Sequence, residues 1–161
     1  MTDAALMPDT CAIVVEEVLP HAPETIWKAL TSSDLIVRGL KMTNTGFEAV
    51  EGKRFTFQTT PAGAWDGVIQ CQVLEVIPHQ RLAFAWKGGH ESNVGYGSRL
   101  DTVVTWTLTK VENGTRLRLV HSRFVLPRNE AAFTSMGAGW KKVVPSIGAI
   151  AAEQGAATTR H

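Results

Sequence analysis

Two periods run along this chain. In "RLAFAW", Arg81 to Trp86, Leu82, Phe84 and Trp86 share one parity and Ala83 and Ala85 the other. Alternate strand residues face opposite sides, so one face carries a leucine and two rings while the other carries almost nothing. The same period marks "KRFTFQT" with Phe55 and Phe57, "VIQCQVLEVI" from Val68 to Ile77, and "TVVTWTLTKV" with Val104, Trp106 and Leu108. "RLRLVHSRFVL" returns with Leu117, Leu119, His121 and Arg123 on one face and Arg116, Arg118 and Val120 on the other. Asn113-Gly114 between the last two is a hairpin signal. "CAIVVEEVL", Cys11 to Leu19, reads as a strand whose two parities are both apolar, so its inner face is undetermined.

The second period is helical. Met136, Trp140, Val143, Ile147 and Ile150 recur in steps of four and three, one apolar stripe. It predicts a helix over about Gly137 to Glu153, with Gly137 and Gly139 allowing close backbone approach. Pro145 predicts a kink or break, because proline lacks an N–H and clashes with the carbonyl four residues back, that of Lys141. Pro23, Glu24, Ile26, Trp27 and Leu30 predict a short helix after the first strand. Ser33 or Asp34 is suited to cap a second short helix ending near Gly39. "PAGAWDG" reads as a turn whose Trp65 is exposed or lids a cavity. "KGGHESNVGYGSRLD" reads as a Gly-rich polar loop, and Gly155 onward as a frayed tail.

The order is strand, two short helices, about six strands, one long helix. That predicts an α+β fold: a curved antiparallel sheet of about seven strands whose apolar face must be covered, with the C-terminal helix as the cover. The rings of Phe84 and Trp86 should then face that helix. The length of 161 residues fits one domain, residues 1–161, with an ordered core of about 11–154. Lys plus Arg is 16 against 15 for Asp plus Glu, a balance that argues against nucleic acid or an anionic membrane as partner. "MTDAALMPDT" has no basic region before an apolar core and does not read as a signal peptide. Cys11 and Cys71 lack CxxC spacing and read as structural thiols of a cytoplasmic protein, with a disulfide between them as the lesser reading.

"LPHAPETIWKALTSSDLIVRGL", "DGVIQCQVLEVIPHQRLAFAW", "TVVTWTLTKVENGTRLRLVHSRF" and "GAGWKKVVPSI", in that order, resemble the bacterial homologues of the heat-shock protein 90 ATPase activator, members of the START-like (SRPBCC, helix-grip) superfamily. The resemblance covers Ile13 to Ala152. It implies a seven-stranded antiparallel sheet gripping the C-terminal helix with a cavity between them. Two departures stand out: Gly39 where the family commonly has tryptophan, and Arg123 where it often has a glycine pair or Ser-Gly.

The five histidines, His21, His79, His90, His121 and His161, fall in separate elements without HxH, HExxH or a Cys/His cluster, so no metal or cofactor is expected. No nucleophile motif or phosphate loop is present, and no catalytic residue is assigned. His121 has two readings: a hydrogen-bonded histidine at the core's edge, or a rim group that orients a ligand or shuttles a proton. Arg123 is either a solvated rim arginine or a clamp for a carboxylate or phenolate. Trp86, Trp106 and Trp140 either close a core or leave space among themselves. On the binding reading the ligand site comprises Phe57, Phe84, Trp86, Trp106, His121, Arg123, Met136, Trp140 and Val144. The expected partner is a small hydrophobic or amphipathic molecule, with a homodimer left open. Two other functions compete: a polyketide-cyclase-like enzyme using His121, Glu75 or Asp101 as acid/base, and a co-chaperone-like interaction module.

Overall fold

A computed structural model describes residues 10–32, 43–94 and 97–159. Seven strands form one antiparallel sheet: β1 (Thr10–Leu19), β2 (Thr43–Thr45), β3 (Arg54–Gln58), β4 (Val68–Ile77), β5 (Arg81–Gly88), β6 (Leu100–Val111) and β7 (Gly114–Val125). Their order is β1-β7-β6-β5-β4-β3-β2. Strands β2 to β7 are thus consecutive neighbours, and β1 closes the far edge beside β7. Helix α1 (Pro23–Thr31) follows β1, and α2 (Glu130–Thr159) follows β7. The polar β2, "TNT", shows no alternation and could not be read from sequence. The second short helix predicted near Ser33 to Gly39 lies outside the described residues.

Alternation decides which face is inner. On β6, Leu100, Thr102, Val104, Trp106 and Leu108 are buried and the residues between them less so. On β7, Thr115, Leu117, Leu119 and His121 are buried. Arg116 and Arg118 face outward, where each lies 3.8 Å from Glu16 of β1. Such exposed pairs contribute little to stability. The apolar face curves around α2, which packs on β1, β7 and α1.

Helix α2 differs from expectation at both ends and in the middle. It runs unbroken from Glu130 to Thr159, with Pro145 inside it. Pro145, Lys141 and Lys142 lie on the exposed side. The freed carbonyl of Lys141 therefore faces water, while Val144, Ile147, Ile150 and Ala151 hold the other side in the core. The helix starts seven residues early because Ala132 and Phe133 already bury against the sheet; Phe133 packs edge-on to Phe124 at 5.4 Å. The close backbone approach occurs at Gly148, where an added Cβ would stand 2.9 Å from Leu19 Cδ2. It does not occur at Gly139, where nothing lies within 4 Å.

The expected face of Arg123 is also corrected. β1 pairs Ile13 with His121 and Cys11 with Phe124, so Ser122 and Arg123 together oppose Ala12. This extra residue is a bulge. Arg123 adopts φ +76°. Parity flips there: Phe124 turns into the core and Arg123 out to solvent. A left-handed conformation costs a non-glycine residue ~1–2 kcal/mol, more than the extra unfolded-chain entropy a glycine brings. Arg123→Gly should therefore raise stability by about 0.5–1 kcal/mol in urea unfolding. An unchanged or lowered midpoint would mean that the arginine side chain contributes more than its backbone costs.

Candidate functional site

The inner face is a continuous array of rings. Phe55 meets Phe57 at 5.5 Å and Phe84 at 5.4 Å, and Phe57 meets Trp86 at 5.4 Å. Trp86 meets His121 at 5.3 Å and Trp140 at 5.8 Å; Trp106 meets Trp140 at 5.7 Å. Most pairs are edge-to-face, the arrangement favoured by the ring quadrupoles. Of the two rings of β5, Trp86 meets α2 through Trp140, while Phe84 packs on Phe55 and Trp86. Seven of the nine predicted site residues, Phe57, Phe84, Trp86, Trp106, His121, Trp140 and Val144, come together in this closed core. Met136 is half-buried at its edge, and Arg123 lies outside it.

His121 is neither at the core's edge nor at a rim; it is 0% exposed. The Trp140 indole N–H donates to its Nδ1 over 3.0 Å. Indole nitrogen can only donate, so Nδ1 carries no proton. Nε2 therefore carries it and donates to Thr102 Oγ1 at 2.8 Å, and the Thr102 hydroxyl donates to the Trp86 carbonyl at 2.7 Å. Each group in this chain has a partner, and the imidazole is neutral. Burial pushes its pKa down to about 3. An imidazole in this position holds helix to sheet and has no free nitrogen with which to act on a ligand.

The open space lies one layer further, where β4, β5 and β6 end beneath the first half of α2. A cleft of about 230 Å³ is walled by Trp65, Ile69 and Leu100 from the sheet side and by Ala132, Met136 and Gly139 from the helix. Thr59, Ser98 and Ser135 add hydroxyls, and no charged side chain among the described residues lines it. Trp65 comes from the β3–β4 loop. Its ring carbon stands 3.3 Å from where a Cβ on Gly88 would be, so it covers a gap left by the missing side chain. Its N–H donates to the Val68 carbonyl at 2.9 Å.

Two asparagines hold the mouth. Asn93 Oδ1 accepts from the Ala64 N–H at 3.0 Å, and its Nδ2 donates to the Ala62 carbonyl at 2.6 Å, tying the β5–β6 loop to the β3–β4 loop. Asn129 Nδ2 donates to Ser98 Oγ and to the Arg99 carbonyl, tying the same loop to the start of α2. Trp65 and Gly139 had signals in the sequence: a tryptophan between Gly63 and Gly67, and a glycine one residue before a stripe position.

The other candidate chemistry lies elsewhere. Glu75 pairs with Arg81 at 3.3 Å, and Asp101 lies 3.9 Å from Lys87, both pairs solvent-exposed and outside the cleft. Cys11 and Cys71 are free thiols; burial raises the pKa of both, far more for Cys71. Among the described residues no group of three or more His, Cys, Asp or Glu side chains is placed to hold a metal. No described helix is long and apolar enough to cross a membrane.

Residues 20–152 match the family described as activator of Hsp90 ATPase homolog 1-like protein. Protein MLL2253 from Mesorhizobium loti is 33% identical, with a TM-score of 0.73 over 86% of this chain and 94% of that one. Protein BH1534 from Bacillus halodurans is 24% identical, with a TM-score of 0.64 over 86% and 94%. CalU16 from Micromonospora echinospora is 21% identical, with a TM-score of 0.62 over 85% and 71%. The latter two show a shared fold. No curated protein matches the chain.

The buried imidazole makes stability pH-dependent. His121 is depressed to about 3 in the folded protein, against about 6.5 for a free histidine. The unfolded chain then binds the proton first, so this contribution is complete above pH 6.5 and is lost as pH falls toward 3. His121→Phe should unfold more easily at pH 7, by about 1–3 kcal/mol, because the Trp140 N–H loses its acceptor. It should also lose less stability than the parent between pH 6.5 and 4 in urea titrations. Parallel acid limbs for the two proteins would mean that His121 titrates normally.

Proposed function

The chain belongs to the activator of Hsp90 ATPase homolog 1-like family, and we propose that it binds a small, uncharged, apolar or amphipathic molecule in the cleft beneath the first half of α2. The observation that carries this reading is Gly139. It sits one residue before the best-buried ring of the helix, yet a Cβ there would meet nothing within 4 Å. An open apolar wall with a few hydroxyls is the usual lining of a small-molecule site. The volume, about 230 Å³, is below the ~300–1,000 Å³ of drug-sized sites, which favours a compact ligand of one or two rings.

Binding fits this lining better than turnover. Among the described residues no titratable side chain faces the cleft, and His121, the buried base among them, has both nitrogens engaged. The cyclase-like reading would need a proton donor or acceptor there. The family description is the only support for a co-chaperone role, and fold does not fix function.

The test fills the cleft without touching the ring core. Gly139→Ala should leave binding of an uncharged naphthalene fluorophore intact and stabilise the protein by up to about 1 kcal/mol through helix propensity. Gly139→Leu should fold as well but weaken the fluorophore's quenching of tryptophan emission at least tenfold. Equal binding by both variants, or no binding by the parent, would overturn the proposal.

A further inference from the structure

Trp86 carries a buried indole N–H with no acceptor, the one such side-chain atom among the described residues. The residue is 0% exposed. Leaving a buried donor unpaired costs ~1–3 kcal/mol, and protein interiors hold few such groups. The neighbouring indoles make the contrast plain: Trp140 donates to His121 and Trp65 to the Val68 carbonyl.

The position of Trp86 says what could reach it. On β5 it pairs with Cys71 of β4 and Thr102 of β6. One inward step toward the strand ends, roughly 6.5–7 Å, lie Ile69, Gly88 and Leu100. Ile69 and Leu100 line the cleft. Gly88, between them, contributes no side chain, and its place is taken by the Trp65 ring. The column above Trp86 is therefore closed by a ring carried on a loop, where its neighbours are closed by strand side chains. Loop-borne groups move at less cost than strand side chains.

We propose that Trp86 is a specificity residue: its N–H is reserved for one uncharged oxygen acceptor, of the ketone, ester or ether kind, on an apolar ligand that enters as the Trp65 ring withdraws from Gly88. This rests on the ligand-binding reading above and names its ligand class. Carboxylates and phosphates are disfavoured because, among the described residues, no cation lines the cleft to offset their desolvation.

A matched probe pair tests it: 2-acetylnaphthalene, which carries a carbonyl, and 2-isopropenylnaphthalene, of the same shape without the acceptor. The parent protein should bind the ketone about fivefold or more tightly than the alkene, the effect of pairing one buried donor. Trp86→Phe, which keeps a ring and removes the N–H, should bind both equally. Nitrogen-15 spectra supply a second readout that needs no variant to bind. The chain has five tryptophans, and the indole signal missing from Trp86→Phe identifies Trp86. That signal should move downfield with the ketone and not with the alkene. If both probes bind the parent equally, with the Trp86 signal responding alike to each, this inference falls and the binding reading survives. If neither probe binds, both fall.

Discussion

The Trp140–His121–Thr102 hydrogen-bond chain is the constraint on which the rest of the molecule depends. It joins α2 to β7 and β6 and ends on the Trp86 carbonyl of β5, so one run of three bonds spans helix and three strands. It forces a single tautomer and keeps the imidazole uncharged. It also sets the rotation of α2 about its axis, because the Trp140 N–H must point at one nitrogen. With Trp140 fixed, Val144, Ile147 and Ala151 fall into the core and Pro145 falls outward, where its missing N–H is harmless.

The same constraint decides where space remains. Rings from β3, β5, β6, β7 and α2 close on one another around the imidazole, and interiors of this kind pack to crystal-like density. The first turns of α2 lie beyond that clamp and carry small residues, Ala132, Gly137 and Gly139. Two loops tied by Asn93 and Asn129 border the cleft at that end. The fold thus divides its inner face into a closed half that stabilises and an open end where the proposed binding cleft lies. The relatives of known structure share the architecture, with 33% identity in the case of the Mesorhizobium loti protein.

Much of this was legible in the sequence, because long two-sided strands write their inner face as strict alternation. The inward residues of β3, β5, β6 and β7 up to His121, and most of the apolar stripe of α2, follow from period alone, whereas β4 breaks its period at a bulge between Val73 and Glu75. Arg123 did not, because parity counting assumes unbroken pairing and a bulge adds one residue. The glycine that the family resemblance leads one to expect there is the pointer, since φ > 0 is a conformation glycine adopts without strain. The extent of α2 was misread because Gly137 and Gly139 lower helix propensity and Pro145 argues for a break, while tertiary burial on the opposite side overrides both. The cleft was misplaced for a related reason. Periodicity locates large apolar side chains, but an opening is made by residues that lack them: Gly139 and Gly88 say only that a side chain is missing, not that space is left. Trp65 reads from sequence as either exposed or a lid, with nothing to say what it would cover.

Among the described residues the ring core is closed, and the free volume between sheet and helix lies at the strand ends. Xenon enters dry apolar cavities and reports them directly. A crystal of this protein under xenon pressure should show the gas beside Gly139, Ile69 and Trp65, and none among Trp86, Trp106 and Trp140. Xenon lodged between those three rings, with the space at Gly139 empty, would contradict the account.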